Sequence, residues 1–299
     1  IVRRLVESAD VFLQNSRPGG MERLGLGYDD LRGINPRLIY VSISGFGENG
    51  PFARRAAYDG VIQGLTGFLP IQGGEAGPQA VRCPVADKVT AMWASNATLA
   101  ALLHRAQNGG QGQKVLVNMT AAYSAFMLLD AMQNHTFLSQ EHEPVTLSYD
   151  VYRTLRTGDG EVIGLVLQPA QLKGFCEALG RTDLLSDPRF SDSVLLVRNA
   201  RALYEAVAAE VRQLSTAEFL ERMADKSVPF ARVNTIDEFL GSDEAKYSGA
   251  YIDFEDPELG VVRNLNYPAQ FERTPTQAGR RAPKLGEHNK EILGALEKK

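Results

Sequence analysis

Asn35-Pro36-Arg37-Leu38-Ile39-Tyr40-Val41-Ser42-Ile43-Ser44-Gly45 is the stretch on which the fold turns. Its centre, residues 38–44, is β-branched and aromatic, with Pro36 before it and Gly45 after it, the pattern of a strand bounded by turns. Upstream, residues 11–15 (VFLQN) predict a short buried strand ending in a polar loop, and residues 19–34 predict two short helical turns around Gly25 and Gly27. Downstream, Val89, Met92, Trp93, Leu99, Leu102 and Leu103 recur at helical spacing over residues 87–107, with small Ala and Ser residues filling much of the rest; this predicts a well-buried helix. Gly109 and Gly110 stop it. VLVNM at 115–119 predicts the next strand, and a helix follows to about residue 133. Helices alternating with strands in this way predict parallel βα units and an α/β fold.

The pattern changes after the polar stretch 139–146, SQEHEPVT, which reads as a linker. Residues 149–167 predict a hairpin turned by Gly158-Asp159-Gly160. Helices are expected near 170–179, 197–212 and 216–225, short strands near 251–254 and 261–266, and a short polar-rich helix in the tail from Gly286 to Lys299. A chain of 299 residues exceeds most single cores, so two domains are expected. The boundaries drawn from the sequence are a large domain over 1–130, a linker over 131–148, a smaller α+β domain over 149–255, and a return to the large domain over 256–299.

Composition excludes several function classes. A formal net charge of −4 gives no basic surface for a polyanion, so no nucleic-acid partner is expected. There is no apolar run of about 18 residues, hence no expected membrane span, and no secretory signal is visible. Cys83 and Cys176 are far apart without a CxxC spacing, which argues against a disulfide framework or zinc site and for a reducing, cytoplasmic compartment. His104, His135, His142 and His288 show no metal-binding spacing, so no metal is expected; His135 and His142 read as ordinary surface or linker histidines.

Gly45-Phe46-Gly47-Glu48-Asn49-Gly50 matches G-x-G-x-x-G and follows a strand, but it does not read as a dinucleotide site. That fingerprint must open a helix whose N-terminus meets a pyrophosphate, with an acidic residue about 20 positions on. Here Pro51, Arg54 and Arg55 follow instead, Asp59 comes too early and Glu75 too late. Asp87 follows Pro84-Val85-Ala86 at the start of the most apolar helix, where it suits a helix cap and equally suits a carboxylate facing a cleft. Asp59, after Tyr58, reads as a cap for a helical stretch carrying Val61, Ile62 and Leu65. Arg17 and Arg23 flank a Gly/Pro loop after a strand, which suits solvated surface or a phosphate-binding position.

Taken in order, these segments resemble the class III CoA-transferase family, whose members include formyl-CoA transferase, L-carnitine CoA-transferase and α-methylacyl-CoA racemase. The resemblance is carried by Ala9-Asp10-Val11 through Asn15, Arg17-Pro18-Gly19-Gly20-Met21-Glu22-Arg23-Leu24-Gly25, Asn35 through Tyr40, Ser44-Gly45-Phe46-Gly47 with Gly50-Pro51, and Ala57-Tyr58-Asp59. It continues through Pro84-Val85-Ala86-Asp87, Gly109-Gly110-Gln111-Gly112-Gln113, Arg273-Thr274-Pro275 and Ala282-Pro283-Lys284-Leu285-Gly286-Glu287-His288. Each piece is weak alone; their order and spacing along nearly the whole chain are specific.

The resemblance implies a Rossmann-like large domain with a parallel sheet, a smaller α+β domain and an interlocked homodimer. It implies transfer of CoA from an acyl-CoA to a free carboxylic acid, with Asp87 as nucleophile and coenzyme A entering as substrate, with no permanently bound cofactor. It places Tyr58, Asp59, Gly45 and Gly47 around the reacting groups, and Asn15, Ser16, Arg17, Arg23, Leu24, Ala56 and Ala57 along the CoA groove. The family's racemases carry a histidine where this chain has Tyr58, and a neutral phenol is a poor base at neutral pH, which favours transfer over α-proton chemistry. A non-catalytic acyl-CoA-binding protein is the other alternative. The chain opens at Ile1-Val2-Arg3-Arg4 without Met and inside an expected helix; against the family pattern, an upstream segment of roughly 60–80 residues is expected to be missing. The stretch Glu143-Pro144-Val145-Thr146-Leu147-Ser148 falls where formyl-CoA transferase has a glycine-rich lid, but it contains no glycine.

Overall fold

The computed structural model describes residues 1–139, 151–276 and 281–297. His142, the Glu143–Ser148 stretch, half of the expected 131–148 linker and the first two residues of the expected hairpin lie outside the described residues. The chain divides into two compact units, Ile1–Val145 with Asn289–Lys299, and Thr146–His288.

The first unit is built on a parallel sheet ordered β1 (Val11–Gln14), β2 (Ile39–Ser44), β3 (Lys114–Asn118). Helix α1 (Val2–Val6) precedes β1, and α2 (Gly20–Arg23) and α3 (Tyr28–Ile34) fall between β1 and β2; α4 (Asp59–Leu65), α5 (Phe68–Gly73) and α6 (Val85–Gln107) fall between β2 and β3, and α7 (Met119–Met127) follows β3. The central strand explains its own composition. Tyr40, with Leu38 just ahead of the strand, packs against Val6 and Leu31, while Ile39 and Val41 pack on the other face against Ala94 and Ala101 of α6. A parallel strand covered on both faces reads as a continuous apolar run, and each large side chain so buried contributes roughly 1.5–3 kcal/mol.

Asn35 ties this layer together. Its buried side chain donates to the carbonyls of Val6 (3.0 Å) and Ala9 (2.9 Å), fixing the end of α3 to the entry of β1. Gly112 brings β3 alongside: its N–H donates to the Pro36 carbonyl at 2.9 Å, and a Cβ there would overlap the Leu38 backbone.

The long helix is present but turned otherwise than expected. Its buried stripe is Ala86, Val89, Thr90, Ala94 and Ala101, whereas Met92 (67% exposed), Trp93 (47%), Leu99 and Leu103 face outward. Both sets recur at helical spacing. Of the expected positions, Val89 is buried and Leu102 packs half-buried beside Ala94 and Ala101 on the sheet; the small residues there allow helix and strand to approach closely.

The second unit holds an antiparallel sheet ordered β4 (Thr154–Arg156), β5 (Glu161–Gly164), β6 (Phe230–Arg232). The hairpin is shorter than expected: β4 and β5 pair only over Thr154–Arg156 and Glu161–Ile163, and beyond them the chain turns to β6, where the Leu165 N–H donates to the Pro229 carbonyl at 3.2 Å. Helices α8 (Pro169–Leu179), α9 (Ser193–Arg198), α10 (Ala200–Gln213) and α11 (Thr216–Asp225) enclose a core around Phe175, Leu203, Val207 and Phe219. Short helices α12 (Ile236–Gly241) and α13 (Asp243–Tyr247) lead into the antiparallel pair β7 (Tyr251–Asp256) and β8 (Gly260–Leu265). Helix α14 (Asn289–Glu297) rejoins the first unit, where the Arg4 guanidinium donates to the Leu296 carbonyl. No helix among the described residues is long and apolar enough to cross a membrane.

Candidate active site

Parallel strands expose their carboxyl ends at one edge of the sheet, and open α/β folds bind ligands there. In the first unit this edge opens into a cleft of about 590 Å³. Residues just past β1 (Asn15, Ser16, Arg17, Pro18), at the end of β2 (Ile43, Ser44, Gly45) and just past β3 (Met119) line it, together with Ala53, Arg55, Ala57, Tyr58 and, from α6, Asp87, Thr90 and Ala91.

The floor is fixed by hydrogen bonds at the strand ends. Gln14 Nε2 donates to Ser42 Oγ at 2.6 Å across the register that pairs these residues, and Gln14 Oε1 accepts the Ser16 N–H at 2.6 Å. The Gly45 carbonyl accepts from the Thr120 N–H (3.1 Å) and Oγ1 (3.0 Å). A Cβ on Gly45 would overlap the Ala57 methyl, so this glycine is required by close approach.

The two acidic residues sit differently from a simple reading as caps. Asp87 is the third residue of α6, whose N-cap position is Pro84. Asp59 is the first residue of α4 rather than its cap, and it serves the neighbouring helix: Asp59 Oδ2 accepts the Asp87 N–H at 3.0 Å. The Asp87 side chain is exposed and has no hydrogen-bond partner among the described residues. Its carboxyl is held above the ordinary aspartate value, first by partial burial and then by the charge of Asp59. A helix N-terminus alone acts in the opposite direction; here the neighbouring carboxylate and burial prevail. Behind the site Tyr123 is fully buried, its hydroxyl pushed up to about 12 by burial, then by Asp59 and Cys83.

Tyr58 lines the cleft in extended backbone (φ −136°) immediately before α4 and is 76% exposed. Gly47 lies in the loop beyond, with φ 85° and its N–H on Ser44 Oγ at 3.0 Å, outside the cleft lining. Arg23 and Leu24, at the end of α2, and Ala56 are exposed and do not line the cleft either. Asp59 stands behind Asp87 rather than on the cleft wall.

Other lining residues were not singled out from sequence. Thr90 and Ala91 lie three and four positions after Asp87, on the same helical face, and Met119 follows β3 directly. Both placements follow from helical spacing and from the carboxyl-end rule. Arg55 stacks its guanidinium 3.9 Å from the centroid of the Phe52 ring. No group of three or more His, Cys, Asp or Glu that could hold a metal is gathered among the described residues.

Comparison with known proteins extends these observations. The family model described as CoA-transferase family III matches residues 1–289. The chain is similar to the succinate–glutarate CoA-transferase of Agrobacterium fabrum, at 32% identity over 99% of this chain and 75% of that one. It is similar to the formyl-CoA:oxalate CoA-transferase of Streptomyces coelicolor, at 26% identity over 98% of this chain and 75% of that one. Among solved structures, a CAIB/BAIF family protein from Brucella suis superposes with a TM-score of 0.82 at 32% identity, over 99% of this chain and 77% of that one. An α/β unit with its cleft at the carboxyl ends of a parallel sheet, matched over its length to these transferases, places the chain in CoA-transferase family III.

Proposed function

We propose that this chain transfers CoA from an acyl-CoA to a free carboxylic acid, with Asp87 as the nucleophile. The observation that carries the reading is the Asp87 carboxylate, which is exposed, on the cleft wall and free of hydrogen bonds among the described residues. In the proposed sequence, Asp87 attacks the thioester carbonyl, the C–S bond breaks, and a mixed anhydride and CoA thiolate result. The thiolate attacks the aspartyl carbonyl, releasing the first carboxylate and leaving an aspartyl-CoA thioester. The incoming carboxylate attacks this thioester and expels the thiolate, which then takes the new acyl group and frees Asp87. One difficult exchange thus becomes several easier ones.

Asn15, Ser16 and Arg17 at the end of β1 suit the CoA side of the cleft, with Arg23, Leu24, Ala56 and Ala57 along its flank. Gly45, Gly47 and Asp59 belong to the frame around the reacting groups. Backbone amides near Asp87 and the Gly45–Gly50 loop suit the developing oxyanion. The relatives above are named for glutarate and oxalate, so a small dicarboxylic acid is the first acceptor to test, and Arg17 and Arg55 give the cleft wall the positive charge it needs. The test is isotope exchange: labelled acid should enter the acyl-CoA pool. Exchange of the α-proton of a 2-methylacyl-CoA with deuterium, in place of acid exchange, would overturn the reading in favour of racemisation.

Tyr58→Phe is expected to slow turnover by about tenfold, the scale of one hydrogen bond. Steady-state exchange rates check this; a complete loss would make the phenol a participant in the chemistry rather than part of the wall.

The outward face of α6, with Met92, Trp93, Leu99 and Leu103 exposed, supports a homodimer. Sedimentation should give a dimer that survives dilution and salt; a stable monomer at micromolar concentration would contradict it. The free Cys83 and Cys176 suit a reducing cytoplasm.

A further inference from the structure

Helix α6 begins without a side-chain cap of its own. Its N-cap residue is Pro84, which offers no side-chain acceptor, so the orphan amides of the first turn need an acceptor from elsewhere. Asp59 Oδ2 provides one, to the N–H of Asp87 itself. The side chain that holds Asp59 in place is Gln63, one turn further along α4 and 1% exposed. Gln63 Nε2 donates one hydrogen to Asp59 Oδ1 at 2.5 Å and shares the other between the carbonyls of Val81 (3.3 Å) and Cys83 (3.5 Å), while Gln63 Oε1 accepts the Val81 N–H at 2.9 Å.

One buried amide therefore binds three things together: α4, the segment leading into α6, and the carboxylate that caps the backbone of Asp87. Buried polar side chains with all their bonds made fix geometry rather than add much net stability. The outcome here is that Asp87 sits on a first turn held from behind, with its own carboxylate left free to face the cleft.

We infer that Gln63 is a positioning residue for Asp87, acting through Asp59 and the 81–83 segment without touching the cleft. The inference rests on the reading of Asp87 as nucleophile. A covalent nucleophile depends on near-attack geometry, and a displacement of about 1 Å costs roughly a hundredfold in rate.

Gln63→Met keeps the length and loses every bond. In the folded variant kcat should fall roughly 10- to 100-fold with KM for acyl-CoA within about twofold, because orientation rather than binding is lost. Exchange of the Asp87 amide hydrogen, followed by mass spectrometry or NMR, should become faster. Asp59→Ala should lower kcat as well, and the double variant should be no worse than the poorer single one, since both act along one path. Gln63→Glu gives the same readouts if the methionine variant does not fold: it keeps the shape and can still accept the Val81 N–H, but it loses the donated bonds and sets a carboxylate against Asp59. Unchanged amide exchange at Asp87, an unchanged kcat, or losses that add in full with those of Asp59→Ala would overturn the inference. Failure of the nucleophile assignment would show differently, as acyl exchange surviving in Asp87→Asn, and the amide measurement does not depend on it.

Discussion

Asp87→Asn should lower acyl exchange by roughly 10⁴-fold or more while leaving the protein folded. The amide is isosteric with the carboxylate but cannot form the anhydride, so the covalent route closes. Little structural cost is expected, because the Asp87 side chain is exposed and makes no hydrogen bond among the described residues that the amide would lose. Stability should move the other way. The Asp87 carboxyl is raised above its ordinary value by burial and by Asp59, so the folded state binds a proton more readily than the unfolded chain. A group of this kind takes stability away as pH rises from the ordinary aspartate range through its higher folded value. Removing the charge should therefore leave the Tm at neutral pH unchanged or slightly higher, as at other sites where function is held against local repulsion. In the wild type, the acid limb of the exchange rate should lie above the usual aspartate range, because only the ionised carboxylate attacks. Intact mass spectrometry after incubation with acyl-CoA should find an adduct on the wild type and none on Asp87→Asn. Near wild-type exchange in the variant would remove Asp87 from the mechanism.

The parts of this molecule that were legible in sequence are those whose signal is local. Residues 38–44 announce a central strand because Pro36 and Gly45 bracket an apolar run, and β2 spans Ile39–Ser44. The parallel α/β character follows from the alternation of elements and is what the sheet shows. The face of α6 was not legible. Both the Ala86–Ala101 stripe and the Met92–Leu103 stripe have helical spacing, and periodicity alone favours the larger side chains over the ones that fit. Strand β6 was missed because Phe230–Arg232 is a three-residue edge with no alternation to detect. At the site, the resemblance named Asn15, Ser16, Arg17, Gly45, Ala57, Tyr58 and Asp87, and the cleft gathers them; their roles rest on the proposal above. The bond from Asp59 to the Asp87 amide spans 28 positions and joins two helix starts, so propensity assigned each acid to its own helix.

Gly45→Val should be the most damaging change that touches no ionisable group, with roughly a hundredfold loss in kcat/KM and about 1–3 kcal/mol of stability. Even the first carbon of the new side chain would occupy the space of the Ala57 methyl. The Gly45 backbone has little freedom to retreat, since Thr120 holds its carbonyl through both the N–H and Oγ1 at 3.1 and 3.0 Å. Ala57 must yield instead, and it is followed directly by Tyr58 on the cleft wall and by Asp59, whose carboxylate caps the Asp87 backbone. A steric change at the end of β2 is thereby delivered to the first turn of α6. The milder Gly45→Ala should show a smaller loss of the same kind, and combining it with Ala57→Gly should recover part of the loss, because the second change removes the opposing methyl. Thermal melts and kcat/KM for the two single variants and the double complete a cycle whose coupling should be positive. Additive losses, or a Gly45→Val protein with wild-type melting and turnover, would mean that the strand end and the Ala57–Asp59 segment are not in register with the chemistry, and that the two helix starts hold Asp87 without help from the sheet.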